Sequence, residues 1–476
     1  METPIAASRP DSTRDGLAWP PVLLVFALAA CFLIHTAIDY DTWWNLAAGR
    51  YIVQHRALPG PDPFSYISDK SQRWNDHEWL AQVSLYLAYA VGGVSGTTLL
   101  QAAVILAGLV ILFRIGYERD KWPVSVAALV LALVMANERF LERPEMVTLL
   151  FVPIYLSILH GATGKPSAVV PLADCGNPKS RIQSACGGPK SARLWLLPFL
   201  HVFWVNCHPG HVLGVGLVGA YAVGAVAGDG FSVLGSRFWG GQESKIQNPI
   251  RLWRTKIGSS LVLVTLALVV ATLVNPYTYE QLIHPFRQLG GKVFLEGIAE
   301  WQPMFAYSEF PSHALTAYKL FLALTILSFA LNFKRMSVAQ LLIFLATAYL
   351  SLKSRRHIGV FAFANMPALV CNVNAILDRR CRNGFPSVAV RRVVAGILSL
   401  ALVFLIWLVA TNRFYIHERS PKSFGLGLAA QQFPVGAADF VEKMNLTGPM
   451  FHNYDVGGYL MWRFHPHRLT FIDGRN

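Results

Sequence analysis

Apolar runs of roughly 15–20 residues recur along this chain, and a helix of about that length is what crossing a bilayer requires. Eleven can be placed, near residues 19–38, 97–116, 122–136, 144–161, 194–207, 211–228, 257–274, 313–332, 337–352, 358–377 and 393–411. The runs are continuous rather than alternating, which argues for helices and against a membrane β-barrel. Several fall short of the ~20 residues a lone lipid-exposed span needs, as expected in a bundle that encloses a polar cavity. Only 14% of residues are charged, against about 25% in soluble domains, so water cannot be met on all sides. The expected fold class is an all-α polytopic membrane protein. It should have about eleven transmembrane helices, an outer loop of two interfacial helices and a soluble C-terminal tail.

The formal net charge of +14 does not imply a nucleic-acid partner, because the basic residues lie in short loops between apolar runs. That distribution orients membrane helices. The segment 78–93 is apolar enough to span but starts Asp76-His77-Glu78, and it reads as an interfacial helix. With that choice, the loops assigned to the cytoplasm carry 22 Lys and Arg and the outer loops 11, tail excluded. Counting 78–93 as a span would move the following basic loops outside, against the positive-inside rule. The resulting organisation is a cytoplasmic N-terminus (1–18), a transmembrane domain (19–411) with its first outer loop at 39–95, and an extracytoplasmic tail (412–476) that ends abruptly. A Gly-, Pro- and Ser-rich stretch at 161–193 reads as a flexible cytoplasmic insertion. The location expected is the bacterial inner (plasma) membrane. Six cysteines include no CxxC pair, and Cys175 and Cys186 share a cytoplasmic loop where a stable disulfide is not expected.

The unusual polar residues collect at the outward ends. Asp39-Tyr40-Asp41-Thr42-Trp43-Trp44 follows the first span, and Trp74-Asn75-Asp76-His77-Glu78-Trp79 follows some thirty residues later. Ionisable groups at a membrane are costly and usually mark function. Asp39 and Asp41 have a plainer reading as solvated residues where a helix leaves the lipid. Against it, Trp43 and Trp44 anchor the next helix at the interface. A carboxylate pinned there, partly desolvated, suits a general base. Asp76, His77 and Glu78 are an N-cap with dipole support or a group that orients an acceptor. Arg139, Arg143, Lys353, Arg355 and Arg356 face outward against the general trend. They contact lipid head groups or clamp a phosphate, for which the arginine fork is suited. His208 and His211 are too few to make a zinc site with Cys207. A divalent ion bound by the acids remains an open alternative.

Taken together these residues resemble the GT-C class of integral-membrane glycosyltransferases, which includes oligosaccharyltransferase catalytic subunits, protein mannosyltransferases and aminoarabinose transferases. The shared traits are a first span, a long outer loop with two interfacial helices and a catalytic acid at the start of that loop. Asp39-Tyr40-Asp41 occupies that place here, and 42–55 and 76–93 match the two helices. The resemblance is closest to uncharacterised bacterial members, with which Asn453-Tyr454-Asp455-Val456-Gly457-Gly458-Tyr459 and Phe471-Ile472-Asp473-Gly474-Arg475 also agree. The acidic pair is Asp-x-Asp rather than Asp-Glu, and no counterpart of the oligosaccharyltransferase Trp-Trp-Asp motif is found in the tail. The resemblance implies transfer of a hexosyl or pentosyl group from a polyprenyl-phosphate donor to a hydroxyl of a glycan, lipid or protein on the outer face. Asp41, with Asp39, would be catalytic. Asp76, His77 and Glu78 would orient the acceptor, and Arg143, Lys353, Arg355 and Arg356 would bind phosphate. A transporter or flippase of lipid-linked glycans and a non-catalytic membrane scaffold are the alternatives.

Overall fold

The computed structural model describes residues 18–163, 188–239, 248–288, 298–306, 312–380 and 388–475. Most of the 161–193 insertion, with Cys175 and Cys186, lies outside them. The chain is an all-α polytopic membrane protein. Its main helices are α1 (Trp19–Leu33), α2 (Asp41–His55), α3 (Trp79–Arg114), α4 (Trp122–Ala136), α5 (Glu145–Thr163), α6 (Leu196–Val205), α7 (Val212–Trp239) and α8 (Asn248–Ala271). They continue as α9 (Glu280–Gln288), α10 (Ser312–Leu331), α11 (Val338–Lys353), α12 (Ile358–Arg380), α13 (Val388–Ala410), α14 (Arg413–His417), α15 (Val435–Lys443) and α16 (Gly457–Phe464). Every one of the eleven apolar runs coincides with an apolar helix. Among the described residues, seven are long and apolar enough to cross a membrane, and four are shorter.

Two features break simple bundle regularity. First, α3 is interrupted at Gly93, whose φ of 58° and ψ of −150° are open in practice only to glycine. The chain turns so sharply that a Cβ on Gly96 would collide with the Ala88 carbonyl. The amphipathic half before the break, 79–92, packs against α2, whereas the half after it joins α5 in the bundle. Second, helix enclosure is uneven. Among the long spans α12 is the most buried, packed against α4, α10, α11 and α5, and α13 the least, touching mainly α1. Leu400, Ile397 and Phe404 of α13 are correspondingly exposed, as a lipid-facing surface allows.

The tail is tied to the segment that leads into α2. Main-chain bonds run from Thr36 N to Ser423 O at 2.9 Å, from Ala37 N to Gly427 O at 2.8 Å and from Ala429 N to Ala37 O at 3.1 Å. Lys422, buried, donates to the carbonyls of Asn137 at 2.6 Å and Phe140 at 3.0 Å, joining the tail to the α4–α5 loop as well. Farther on, α16 lies on α2, with Trp43 edge-on to Tyr459 at 5.0 Å. Tyr66 N also donates to Thr470 O at 3.1 Å. The loop between α2 and α3 and the tail therefore form one layer over the bundle end.

Close approach of α2 to α3 depends on Gly49. A Cβ there would lie 2.9 Å from the Tyr86 Cβ and nearer still to the Gln82 carbonyl. Gly49→Val is expected to destabilise the protein by about 1–3 kcal/mol through overpacking. Thermal unfolding in detergent reads this, and an unchanged transition would show that α2 can move aside freely.

Candidate functional site

A cavity of about 810 Å3 opens where the start of α2, the end of the α2–α3 loop, the α4–α5 loop and the tail meet. Asp41 is the first residue of α2, where its charge favours the helix dipole. One oxygen accepts from Trp44 Nε1 at 3.1 Å, and the other is 3.1 Å from Arg143 Nη1. Its side chain keeps 29% of its surface exposed, toward the cavity. Asp39, two residues earlier, turns inward and is 5% exposed. It accepts from Arg143 Nε at 2.6 Å and again from Nη2, and from the Thr42 hydroxyl at 3.3 Å.

Arg143 also reaches Glu300 at 3.1 Å, and Glu300 is shared with Arg139 at 2.8 Å and Arg356 at 3.6 Å. Arg139 closes the network on Glu145, and the Arg356 guanidinium lies over the Trp301 ring at 5.0 Å. Burial alone would raise the Glu300 carboxyl, but Arg143, Arg139 and Arg356 hold it well below its ordinary range. Burial likewise opposes charge on Arg143, yet Asp39, Asp41 and Glu300 keep it firmly protonated. Asp41 moves the other way: burial raises it to about 6, and Arg143 opposes this while Asp39 and Glu300 reinforce it. A carboxyl at that value exchanges its proton near neutrality.

The opposite wall is acidic and histidine-rich, and among the described residues neither Asp76 nor Glu78 makes an ion pair with an arginine. Asp76 accepts from the Gln82 amide at 2.7 Å, and burial raises it to about 7. Glu78 lies 3.6 Å from His208 Nε2 and 3.9 Å from His77 Nε2, and burial raises it to about 8. Gly210 N donates to His208 Nδ1 at 3.0 Å. A neutral His208 therefore carries its proton on Nε2, facing Glu78. Burial, followed by the nearby His284, holds His77 well below its usual value, and burial followed by Arg356 does the same to His208, so His77 and His208 are neutral at pH 7.

The tail supplies the outer rim. Tyr454, Asp455, Gly458, Ile472, Gly474 and Arg475 all line the cavity. Gly474 packs closely here, and a Cβ on it would force the Asp41 carboxylate to shift. Arg475 is held between Trp74 and Phe64, 4.7 and 4.9 Å from their rings. It makes two bonds to Asp62, at 2.7 and 3.1 Å, and two to Asp473, at 2.7 and 2.8 Å.

Of the residues singled out from the sequence, Asp41, Asp76, His77, Glu78, Arg143 and Arg356 line this one cavity. Asp39 stands behind Arg143. Arg355 is not in the lining; its backbone N–H donates to Gln302 O at 3.1 Å. Lys353 is exposed outside it, with Nζ 6.0 Å from the Tyr349 ring. Sequence reasoning gave no role to Glu300, the hub of the arginines, nor to Glu145, His208 or the tail residues. The available signals were the outward position of Glu300-Trp301 and the Asp-Gly-Arg run at 473–475.

No family model matches the chain, and no curated protein matches it in sequence. Solved structures do match in fold. They include the archaeal oligosaccharyltransferase AglB from Archaeoglobus fulgidus in complex with an inhibitory peptide and a dolichol-phosphate, with TM-score 0.54, 12% identity and 95% of this chain covered. The same organism's oligosaccharyltransferase tethered to an acceptor peptide containing the NVT sequon matches with TM-score 0.57, 13% identity and 97% coverage. Its apo form gives 0.55, 13% and 95%. The chain spans 64–65% of the length of these proteins.

Two measurements test this electrostatic arrangement. Removing Arg143 leaves Asp39 buried without its cation, so Arg143→Met should cost roughly 3–5 kcal/mol. Adding Asp39→Asn should recover part of that; no recovery in the double variant would separate the two residues. Glu78 keeps its proton to about pH 8 when folded, against an ordinary value of 4.5. Between those values the unfolded chain releases a proton that the native state holds, so burying Glu78 costs more stability as pH rises. Glu78→Gln should therefore stabilise the protein increasingly from pH 5 to pH 9. A melting-temperature difference that stays flat over that range would refute the shift.

Proposed function

We propose that this protein is a membrane glycosyltransferase that moves a sugar from a polyprenyl-phosphate donor to an acceptor hydroxyl at the cavity. The observation that carries the reading is the placement of Asp41, an accessible carboxylate with raised basicity, beside Arg143 and Arg356 in one cavity. The fold likeness supports it, because those structures carry a dolichol-phosphate in one case and an acceptor peptide in another. The outward-facing orientation inferred from loop charge would place the cavity on the extracytoplasmic side.

In this reading the acceptor oxygen attacks the anomeric carbon while the bond from that carbon to the phosphate oxygen breaks, with inversion. Asp41 takes the acceptor's proton. The electron pair leaves with polyprenyl phosphate, whose growing negative charge is met by Arg143 and Arg356. Arg143 then has two tasks, holding Asp39 and Asp41 before the donor enters and facing phosphate afterwards. Glu300 keeps Arg143 and Arg356 extended toward the cavity. Asp76, the neutral histidines His77 and His208 and the protonated Glu78 offer donors and acceptors for hydroxyl groups of the sugar or acceptor. Tyr454 and Asp455 of the tail extend the same wall toward the entrance. Asp41, Asp76, Glu78, Glu145, Glu300 and Asp455 are the acids that line the cavity. Asp41 and Glu145 already carry arginines, Arg143 and Arg139 respectively, so an ion on those two would have to displace them.

Membranes carrying the Asp41→Asn variant, given lipid-linked sugar, should release polyprenyl phosphate about 10²–10⁴-fold more slowly than wild type, the range for losing a general base. Wild-type kcat/KM should fall as pH drops through about 6, where Asp41 gains its proton, and should level off above. Full transfer by a correctly inserted Asp41→Asn protein would remove Asp41 from the chemistry.

A further inference from the structure

We propose that His313, His417 and Glu418, at the contact of α10 with α14, form a binding site for a borderline divalent cation, with zinc as the best match. One ligand atom from each of the three lies within 4.8 Å of the others. Zinc bonds of about 2.0–2.1 Å imply ligand-to-ligand edges of roughly 3.4 Å in a tetrahedron, so a modest rotation closes the set. Glu418 is the fixed member. It is 8% exposed, and its two oxygens accept from His313 N at 3.1 and 3.2 Å. The His313 ring meets the same carboxylate through Nδ1. The two imidazoles sit 4.8 Å apart at 74° rather than stacked, which lets their nitrogens turn to one point. Both histidines are exposed, so the remaining coordination position opens to water and the His417 ring can turn without disturbing the core.

The donor chemistry selects the ion. Two imidazole nitrogens and one carboxylate suit zinc, cobalt, nickel or copper, whereas magnesium and calcium prefer all-oxygen sets. The start of α10 carries positive dipole character that disfavours a cation. The Glu418 carboxylate stands at that helix end and offsets it. The site lies outside the cavity but is mechanically connected to it. Phe414 of α14 packs against His313 at 5.6 Å and against Phe32 of α1 at 5.1 Å. The chain after α14 then pairs with residues 36–37, just ahead of Asp39 and Asp41. A bound ion would brace the entry of the tail and, through it, the segment that presents Asp41.

The full chain, purified in detergent through a tag without histidine and stripped with chelator, is titrated with Co2+ and then competed with Zn2+. Wild type should develop a visible cobalt absorbance that saturates at one equivalent and is bleached by zinc. His417→Ala, a change at an exposed position that leaves the fold intact, should weaken binding by at least about tenfold, and His313→Ala similarly. Asp41→Asn should titrate as wild type does. Zinc should raise the unfolding temperature of wild type and leave that of His417→Ala unchanged. Equal titration of wild type and His417→Ala would overturn the site, as would a zinc effect on stability that both share. In that case Glu418 serves only as a helix cap and ion-pair partner.

Discussion

Arg143 is the group on which the cavity's arrangement depends. It is surrounded by Asp39, Asp41 and Glu300, three carboxylates from two distant parts of the chain. Three acids at that spacing would repel one another strongly in a partly desolvated site. The guanidinium fork meets several of them at once because its donors are planar and diverge. Removing it would therefore leave buried charge without compensation, the costly half of any buried ion pair. The same cation both permits the acids to gather and sets the field in which Asp41 titrates.

The surrounding fold places these groups without asking any one element to do everything. The α4–α5 loop and the first residue of α5 carry Arg139, Arg143 and Glu145 within seven residues, and the short helical turn before α12 carries Arg356. The two halves of α3 separate at Gly93, so the first half supports the cavity while the second joins the bundle. The tail then covers the site, with Arg475 wedged between Trp74 and Phe64 and bonded to Asp62 and Asp473. An arginine so completely paired acts as a fastener between loop and tail, which keeps Gly474 against Asp41.

Much of this was legible in the sequence because bilayer length and hydropathy act locally. Each of the eleven apolar runs corresponds to an apolar helix, and the glycine that breaks α3 sits at the boundary inferred from Asp76-His77-Glu78 and loop charge. The gathering of Asp41, Asp76, Glu78, Arg143 and Arg356 was also foreseeable, since all lie at like-facing helix ends. Glu300 was not, because a single acid in a long loop has no periodic signal, and its importance arises only when three arginines converge on it. The tail's participation was equally hidden. Gly474 and Arg475 look like turn residues until their partners, over 400 positions away, are known. Lys353 and Arg355 lie close to Arg356 in sequence, but Lys353 ends α11, Ser354 is extended and Arg355 and Arg356 start a separate short helical turn. Proximity in sequence could not assign all three to one cavity.

The two early aspartates show how far position alone can mislead. They are separated by one tyrosine, and either could serve as the base of a transfer reaction. In the fold, Asp39 is 5% exposed and meets Arg143 through both of its oxygens. Asp41 shares the same arginine through one oxygen only and faces the cavity. Its proton affinity rises to about 6, high enough to accept a proton and low enough to be ionised at pH 7. The difference comes from the backbone at the start of α2: Asp39, two residues before the helix, is turned into the protein, and Asp41, its first residue, faces the cavity. On that ground Asp39 is better understood as the group that positions Arg143, and Asp41 as the one able to exchange a proton with a bound molecule.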